Sequence, residues 1–403
     1  KWMVKHMKLS NKAMDITPSS TLAITAKAKQ MKAEGIDVVG FGAGEPDFDT
    51  PDFIKEEAIK AIEEGFTKYT PAAGTIELKK AICEKFKNEN GLIYLPNQIV
   101  ISNGAKHSLT NTFMAILNPG DEVIIPAPFW LSYPQMVKLS DGVPVIVYAK
   151  EENNFKITVE DLEQVVTDKT KALVINSPSN PSGVVYSEEE LREIADFAVK
   201  HDIYVVSDEI YEKLIYDGKK HVSIASFNDE IYKRTIVING VSKSYAMTGW
   251  RIGYLAAPAD VAKAIADMQS HATSNPNSIA QKATLAALTG SQDCVEKMRK
   301  EFEIRRNYMV ERLDKIPKLT IIKPQGAFYV VIGISNILGK EFEGKIIKNA
   351  DDFSDILLEK ESVAVVSCTD FGFSNCIRLS YAISLESIKK GLDRIEDFVN
   401  NKL

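Results

Sequence analysis

The stretch that decides the fold is residues 171–208, KALVINSPSNPSGVVYSEEELREIADFAVKHDIYVVSD. It begins with an apolar run at 171–176, continues through a helical pattern at 187–200 and returns to an apolar run at 203–207. Short apolar strands joined by a helix are typical of a parallel sheet that is covered on both faces. The stretch therefore predicts an α/β fold.

The same alternation extends to both sides of this stretch. Helical patterns separate several further strand-like runs, which lie at 98–102, 122–125, 143–147, 235–239 and 252–256. Together with the two central runs they predict a large domain with a mostly parallel seven-stranded sheet flanked by helices.

A smaller α+β domain is expected from the two ends of the chain. At 403 residues the chain exceeds the usual size of one hydrophobic core. After about residue 290 a long charged helix is followed by short strands and helices. The N-terminal segment has no sheet of its own, so we expect it to join this part. The predicted units are an N-terminal segment at 1–50, a large cofactor-binding domain at 51–289 and a small C-terminal domain at 290–403.

Composition and charge restrict the class of partner. The net charge is −6, which provides no general attraction to nucleic acid or to an anionic membrane. Apolar runs fall short of the roughly 18 residues of a membrane-spanning helix. The four cysteines are widely spaced, which favours reduced thiols over a metal site or disulfides. We expect a cytoplasmic protein that acts on small molecules.

Ligands of open α/β sheets bind beyond the carboxyl ends of the strands, so the residues that follow each apolar run are candidates. The run at 98–102 is followed by Gly104 and Ala105, where a helix begins. Such a turn can hold a phosphate, although turn glycines are also common for steric reasons alone. Asn180 follows the run at 171–176 in an Asn-Pro turn, which is equally ordinary turn chemistry.

Two charged residues follow the next two strands. Asp208 could cap a helix, but if it is buried it needs a cationic partner. Lys243 lies in a segment rich in Gly and Ser, eight residues before Arg251. Most lysines are exposed surface charges. Lysine is, however, also the side chain that bonds to aldehyde cofactors. The strand ends therefore offer a turn that can bind phosphate, the Asn180 amide, the Asp208 acid and the Lys243 amine. Together these groups match the requirements of pyridoxal phosphate.

Motifs over nearly the whole chain resemble the class I aminotransferases of fold type I, most closely the bacterial aspartate aminotransferase branch. The pair SDEIY and SKSYAMTGWRIGY is the most specific of them. They are GAGEPDFDTP (42–51), KYTPAAGTIEL (68–78), SNGAKHSL (102–109), PAPFWLSYPQM (126–136), NSPSNPSG (176–183), VSDEIYEKLIYDG (206–218), SKSYAMTGWRIGY (242–254), TSNPNSIAQ (273–281), GAFY (326–329) and IRLSYA (377–382).

The resemblance implies a pyridoxal-phosphate enzyme that transfers the amino group of L-aspartate to 2-oxoglutarate, forming oxaloacetate and L-glutamate by a ping-pong route through pyridoxamine phosphate. Lys243, Asp208 and Tyr211 are implied as catalytic residues: Lys243 bonds to the cofactor and moves the proton at Cα, and Asp208 keeps the ring nitrogen protonated. Tyr211 and Asn180 would bond to the ring oxygen. Trp130 would stack on the ring, unless it is simply a packed core indole.

The phosphate would be held by Gly104, Ala105, Ser242 and Arg251. The resemblance also implies a homodimer with shared active sites, in which Tyr69 of one subunit reaches the phosphate of the other.

For the substrate, the resemblance implies that Arg378 clamps the α-carboxylate, with Gly44, Asn180 and Trp130 nearby. Without this context Arg378 would be read as a strand arginine paired to a surface acid. Lys106 is the obvious charge for an acidic side chain. Thr17 stands where related sequences often carry a basic residue, which argues against prephenate as a substrate.

Several alternatives stay open at this point. The same fold supports aminotransferases of broader or aromatic specificity and β-elimination. A cofactor-sensing regulator would need a DNA-binding module, for which the sequence has no basic patch. A nicotinamide dehydrogenase would need GxGxxG after its first strand, and the sequence has none there.

Overall fold

The structure, a computed structural model, describes residues 8–403, so residues 1–7 of the predicted N-terminal segment lie outside the described residues. The strands within this range are β1 Val39–Gly40, β2 Ile99–Ser102, β3 Glu122–Ala127, β4 Val143–Tyr148, β5 Thr170–Asn176, β6 Tyr204–Asp208, β7 Thr235–Gly240, β8 Gly253–Ala256, β9 Thr320–Ile321, β10 Tyr329–Gly333, β11 Glu341–Phe342, β12 Lys345–Ile346, β13 Val363–Ala364, β14 Val366–Ser367 and β15 Cys376–Ser380. The helices are α1 Asn11–Asp15, α2 Ser20–Ala33, α3 Asp52–Glu63, α4 Ile76–Asn90, α5 Ala105–Ile116, α6 Ser132–Leu139, α7 Val159–Glu163, α8 Glu188–Lys200, α9 Asp229–Tyr232, α10 Ala259–Ala272, α11 Ser278–Thr289, α12 Asp293–Leu313, α13 Ala350–Glu361 and α14 Leu385–Asp397.

Strands β2 to β8 form the large sheet in the order β2-β8-β7-β6-β5-β3-β4. The pairs from β7 to β4 are all parallel, and only β8 runs against its neighbours β2 and β7. This confirms the predicted mostly parallel seven-stranded sheet. The carboxyl ends of β2, β5, β6 and β7 therefore meet at one edge.

The unit from β5 to β6 shows why this sequence folds as it does. Ser187 caps α8: its hydroxyl accepts from the Glu190 N–H, and the Glu190 carboxylate accepts from the Ser187 N–H. Such a cap stabilises a helix by about 1 kcal/mol. In β6, Val205 packs toward α8 whereas Val206 packs toward α5 on the other face. Both faces of the strand are therefore buried, which explains its continuous apolar run.

The second sheet has the order β14-β15-β10-β9, and every pair in it is antiparallel. Strand β1 of the N-terminal segment pairs in parallel with β13, where Val39 lies opposite Val363. The N-terminal segment is thus a direct neighbour of the C-terminal part. The boundaries at 50/51 and 289/290 stay predictions.

The apolar strand pattern does not predict helices α4, α6 and α11. Helix α6 contains Pro134 in its first turn, where proline is tolerated because the first N–H groups have no intrahelical partner. Helix α4 begins within the motif KYTPAAGTIEL, and helix α11 begins within the motif TSNPNSIAQ. Strand β1, at Val39–Gly40, has only two residues. Of the helices within 8–403, each is too short or too polar to span a membrane.

Candidate active site

A cavity of about 320 Å³ opens at the carboxyl edge of the large sheet, between the two sheets. It brings together residues that are far apart in the sequence. The predicted site residues that line it are Gly44, Ala105, Lys106, Trp130, Asn180, Asp208, Tyr211, Ser242, Lys243, Arg251 and Arg378.

Two predicted residues do not line the cavity. Gly104 lies immediately behind it, in contact with Arg251. Tyr69 is 90% exposed at the surface. Its predicted partner is a neighbouring subunit, so its role stays a prediction.

Lys243 follows β7 and extends its amine into the cavity. The Nζ atom donates a hydrogen bond to the Gly44 carbonyl oxygen at 2.6 Å. Burial lowers the pKa of Lys243 to about 8, because the ammonium form loses solvation. About a tenth of this amine is therefore unprotonated at pH 7, far more than for an ordinary lysine, and the unprotonated amine is the form that acts as a nucleophile.

Asp208 ends β6 and is only 3% exposed. Its Oδ2 accepts a hydrogen bond from the Tyr133 hydroxyl at 2.6 Å, and its Oδ1 accepts from the Ile210 N–H at 3.2 Å. Burial raises the pKa of Asp208 to about 6. Within residues 8–403 this carboxylate forms no ion pair. A buried acid without a cation fits a cofactor that brings its own cationic ring nitrogen.

The turn before α5 is shaped for an anion. Gly104 has φ +87°, and a side chain there would collide with the Arg251 guanidinium. Helix α5 then starts at Ala105, so its free N–H groups face the same place as Arg251. The guanidinium is held by carbonyl oxygens, with Nη1 donating to Thr248 at 2.9 Å. Backbone donors and a fixed arginine fit a phosphate group.

Trp130 and Lys106 form one wall of the cavity. The Lys106 Nζ lies 4.8 Å from the centre of the Trp130 ring, which favours a cation–π contact. Burial, with a smaller contribution from the nearby Arg251, lowers the pKa of Lys106. The Trp130 ring meets Tyr133 edge to face, with the ring centres 5.4 Å apart. Trp130 therefore lines the cavity and also packs against the buried cluster of the sheet.

Arg378 lies on β15 and is 1% exposed. Its Nη1 donates to Asn180 Oδ1 at 3.0 Å and its Nη2 to the Gly42 carbonyl at 3.2 Å. The guanidinium lies 4.3 Å from the Tyr329 ring centre, and Nε has no hydrogen-bond partner. It pairs with no carboxylate in the part of the chain that the structure describes, so the surface ion pair weighed from the sequence is not observed. Such an arginine can take a carboxylate ligand in a bidentate geometry.

Sequence reasoning missed two tyrosines of the site. Tyr133 bonds to Asp208, and the Tyr329 hydroxyl lies 3.0 Å from the Tyr211 hydroxyl. Both belong to quoted motifs, Tyr133 to PAPFWLSYPQM and Tyr329 to GAFY. The position of Tyr133 three residues after Trp130 was the available signal, because that spacing places both near one helix start.

A family model described as aminotransferase class I and II matches residues 36–395. An aspartate aminotransferase of Bacillus sp. (strain YM-2) is 53% identical over 97% of this chain and 99% of its own length. A probable aspartate/prephenate aminotransferase of Aquifex aeolicus is 50% identical over 96% of this chain and 98% of its own. The crystal structure of the aspartate aminotransferase from Rhizobium meliloti superimposes with a TM-score of 0.95 at 44% identity, over 98% of this chain and 100% of that one.

Proposed function

Because the chain belongs to the class I and II aminotransferase family, we propose that it transfers the amino group of L-aspartate to 2-oxoglutarate, forming oxaloacetate and L-glutamate. The family uses pyridoxal phosphate, and the chain is a pyridoxal-phosphate-dependent aminotransferase. The observation that carries the proposal is that Lys243, Asp208 and Arg378 face one cavity, each without a partner of opposite charge among the described residues.

Pyridoxal phosphate supplies an aldehyde that bonds to amines and a ring that withdraws electrons from the α-carbon of the amino acid. Lys243 would hold the cofactor through its amine and, once free, would carry the proton at the substrate Cα. Asp208 would keep a proton on the ring nitrogen, since a buried carboxylate stabilises a cation beside it. Tyr211 and Asn180 would donate to the ring oxygen, and Trp130 would lie against the ring.

Four groups hold the phosphate in this proposal. Ala105 offers its N–H at the start of α5, and Gly104 leaves room for the phosphate oxygens. Ser242 donates its hydroxyl and Arg251 supplies the positive charge. The positive φ of Gly104 and its contact with Arg251 support this assignment, because any side chain at position 104 would fill the space beside the Arg251 guanidinium.

The substrate side of the cavity favours a dicarboxylic amino acid. Arg378 binds the α-carboxylate beside Asn180 and Gly44, and Lys106 meets the second carboxylate. Two cations at one cavity favour a dianion through Coulomb attraction, which is strong where water is excluded. Several relatives are named for prephenate as well as aspartate. In this chain Thr17 is exposed, and its N–H donates to Gln135 at 3.3 Å, so it adds no charge for prephenate.

We also propose a cytoplasmic homodimer. Tyr69 is exposed and does not line the active-site cavity of its own subunit, so it is suited to complete the phosphate site of a second subunit. The family resemblance implies that residues 274–275, in the motif TSNPNSIAQ, lie at the same interface. All four cysteines are free thiols, as is usual in a reducing compartment.

The test is a spectrum and a substrate panel on the purified protein. Aspartate should remove the visible absorption of the bound cofactor, and 2-oxoglutarate should restore it. Aspartate should be preferred over alanine and phenylalanine as amino donor, and 2-oxoglutarate over prephenate as amino acceptor, in kcat/KM. A preference for phenylalanine would overturn the assignment to aspartate, and a preference for prephenate would overturn the assignment to 2-oxoglutarate, while either would leave the transamination in place.

A further inference from the structure

A buried network of charged side chains lies behind the turn that carries Asp208 and Tyr211. Those two residues line the cavity. Glu209 and Glu212, which alternate with them along the turn, do not line it, and they are 1% and 8% exposed. The Glu212 N–H donates to the Glu209 carbonyl at 2.9 Å. One turn therefore has a face toward the cavity and a face toward the network.

Glu209 is held by three side-chain donors. Its Oε1 accepts from the Ser207 hydroxyl at 2.9 Å and from the Ser223 hydroxyl at 2.7 Å. Its Oε2 lies 2.8 Å from His221 Nε2. A buried carboxylate with several donors is restricted to one orientation, because each donor lost would leave the charge poorly solvated. Glu209 is therefore a fixed point for the backbone on either side of it.

The charges in this network compensate each other. One ligand atom of each of Glu209, Glu212 and His221 lies within 4.8 Å of the others. Lys85 contacts Glu212 and also donates to Asn90 Oδ1 at 2.8 Å. Although burial opposes it, the adjacent Glu209 carboxylate raises the pKa of His221. The Lys85 ammonium thus pairs with Glu212, and His221 contacts Glu209, so each buried carboxylate has a basic side chain beside it.

The Glu209 carboxylate does not line the cavity, so it does not contact the cofactor site. Glu209 nevertheless directly follows Asp208 in the chain. We propose that Glu209 is a positioning residue: its fixed side chain sets the turn that presents Asp208 to the ring nitrogen and Tyr211 to the ring oxygen. This inference rests on the proposed function in so far as the ligand of Asp208 is pyridoxal phosphate.

The deciding experiment titrates apo-protein with pyridoxal phosphate and follows the absorbance of the bound cofactor. In Glu209→Gln the side-chain shape is kept but the charge is lost, so the turn is held less firmly. We expect the cofactor Kd to rise about tenfold, a change equivalent to about 1.4 kcal/mol. The absorption maximum of the bound cofactor should shift, because Asp208 no longer meets the ring in one geometry. If Glu209 only stabilised the fold, Glu209→Gln would lower the melting temperature and leave the cofactor Kd and the absorption maximum unchanged.

The matched control is Glu163→Gln. Glu163 also contacts a histidine, with Oε1 3.1 Å from His201 Nε2, but at the surface and away from the cavity. This variant should bind the cofactor as the wild type does. An equal loss of affinity in both variants, or a wild-type Kd in folded Glu209→Gln, would overturn the proposal.

A second variant keeps the test decisive if Glu209→Gln does not fold. Ser223→Ala removes one donor of Glu209 and leaves the charge in place. We expect its Kd for pyridoxal phosphate to rise about threefold, because one of the three donors that hold Glu209 is lost while the other two remain. An unchanged Kd in this variant would overturn the proposal. Failure of the wild type to convert aspartate would instead count against the proposed function, because cofactor binding is measured separately.

Discussion

The Tyr133 hydroxyl donates a 2.6 Å hydrogen bond to the Asp208 carboxylate, and both side chains are almost completely buried. This contact opposes the effect of burial, because a hydrogen bond to the ionised form favours that form. It therefore helps Asp208 to stay charged beside a cationic ring nitrogen.

The first prediction follows from this contact. In Tyr133→Phe the pKa of Asp208 should rise further, because burial remains and the hydrogen bond is lost. The neutral acid cannot stabilise a protonated ring nitrogen, so we expect the Kd for pyridoxal phosphate to rise about tenfold. Titration of apo-protein measures this. Tyr232→Phe is the control, since its hydroxyl donates at 2.7 Å to the Ile93 carbonyl, away from the cavity. Equal effects in the two variants would contradict the prediction.

The second prediction concerns Lys106. Its replacement by alanine should raise the KM for aspartate by about tenfold or more, because a charged hydrogen bond to a carboxylate is lost. Alanine and phenylalanine carry no second carboxylate, so their kcat/KM should change little. Lys79→Ala is a suitable control, because burial also lowers the pKa of Lys79 but this lysine does not line the cavity. Equal losses for all three amino acids would remove the case for an acidic substrate.

The third prediction concerns Lys243. Lys243→Ala should abolish turnover, because the amine that would bond to the cofactor is lost. Among the described residues, no other lysine donates to the Gly44 carbonyl oxygen from this cavity. Lys243→Arg keeps the charge but cannot bond to the aldehyde, so it should be equally inactive. Transamination rates and the spectrum of added cofactor measure both variants. Turnover by either one at more than a trace would refute the role assigned to Lys243.

The sequence predicted the large sheet well because its strands are buried on both faces and read as continuous apolar runs, as Val205 and Val206 show. It also located Asp208 and Lys243, since a residue directly after a strand must lie at the edge where ligands bind. It did not locate Tyr133 or the role of Glu209. Their contacts depend on the side of a turn or helix on which each side chain falls, and the strand pattern carries no information about that.

The last prediction uses the raised pKa of Asp208. A carboxyl whose pKa is about 6 in the folded state, against its ordinary value near 3.8, binds more protons when folded than when unfolded. Its contribution to the stability of the apo-protein is therefore most favourable below about pH 4 and is lost as the pH rises through 6. Two pKa units correspond to about 3 kcal/mol of lost stability at pH 7 and above.

Asp208→Asn should remove this penalty. The asparagine amide can bond to Tyr133 and Ile210 in place of the carboxylate, so we expect the variant apo-protein to be more stable than wild type at pH 7.5, by up to about 3 kcal/mol. At pH 4 the difference should shrink to about 0.5 kcal/mol, because Asp208 is then protonated in the folded state and about 40% protonated in the unfolded state. Urea unfolding of cofactor-free protein at the two pH values measures the difference. The same variant should bind pyridoxal phosphate more weakly, since an amide cannot neutralise a protonated ring nitrogen. If Asp208→Asn is less stable than wild type at pH 7.5, the Asp208 carboxylate does not destabilise the cofactor-free protein and the prediction is wrong.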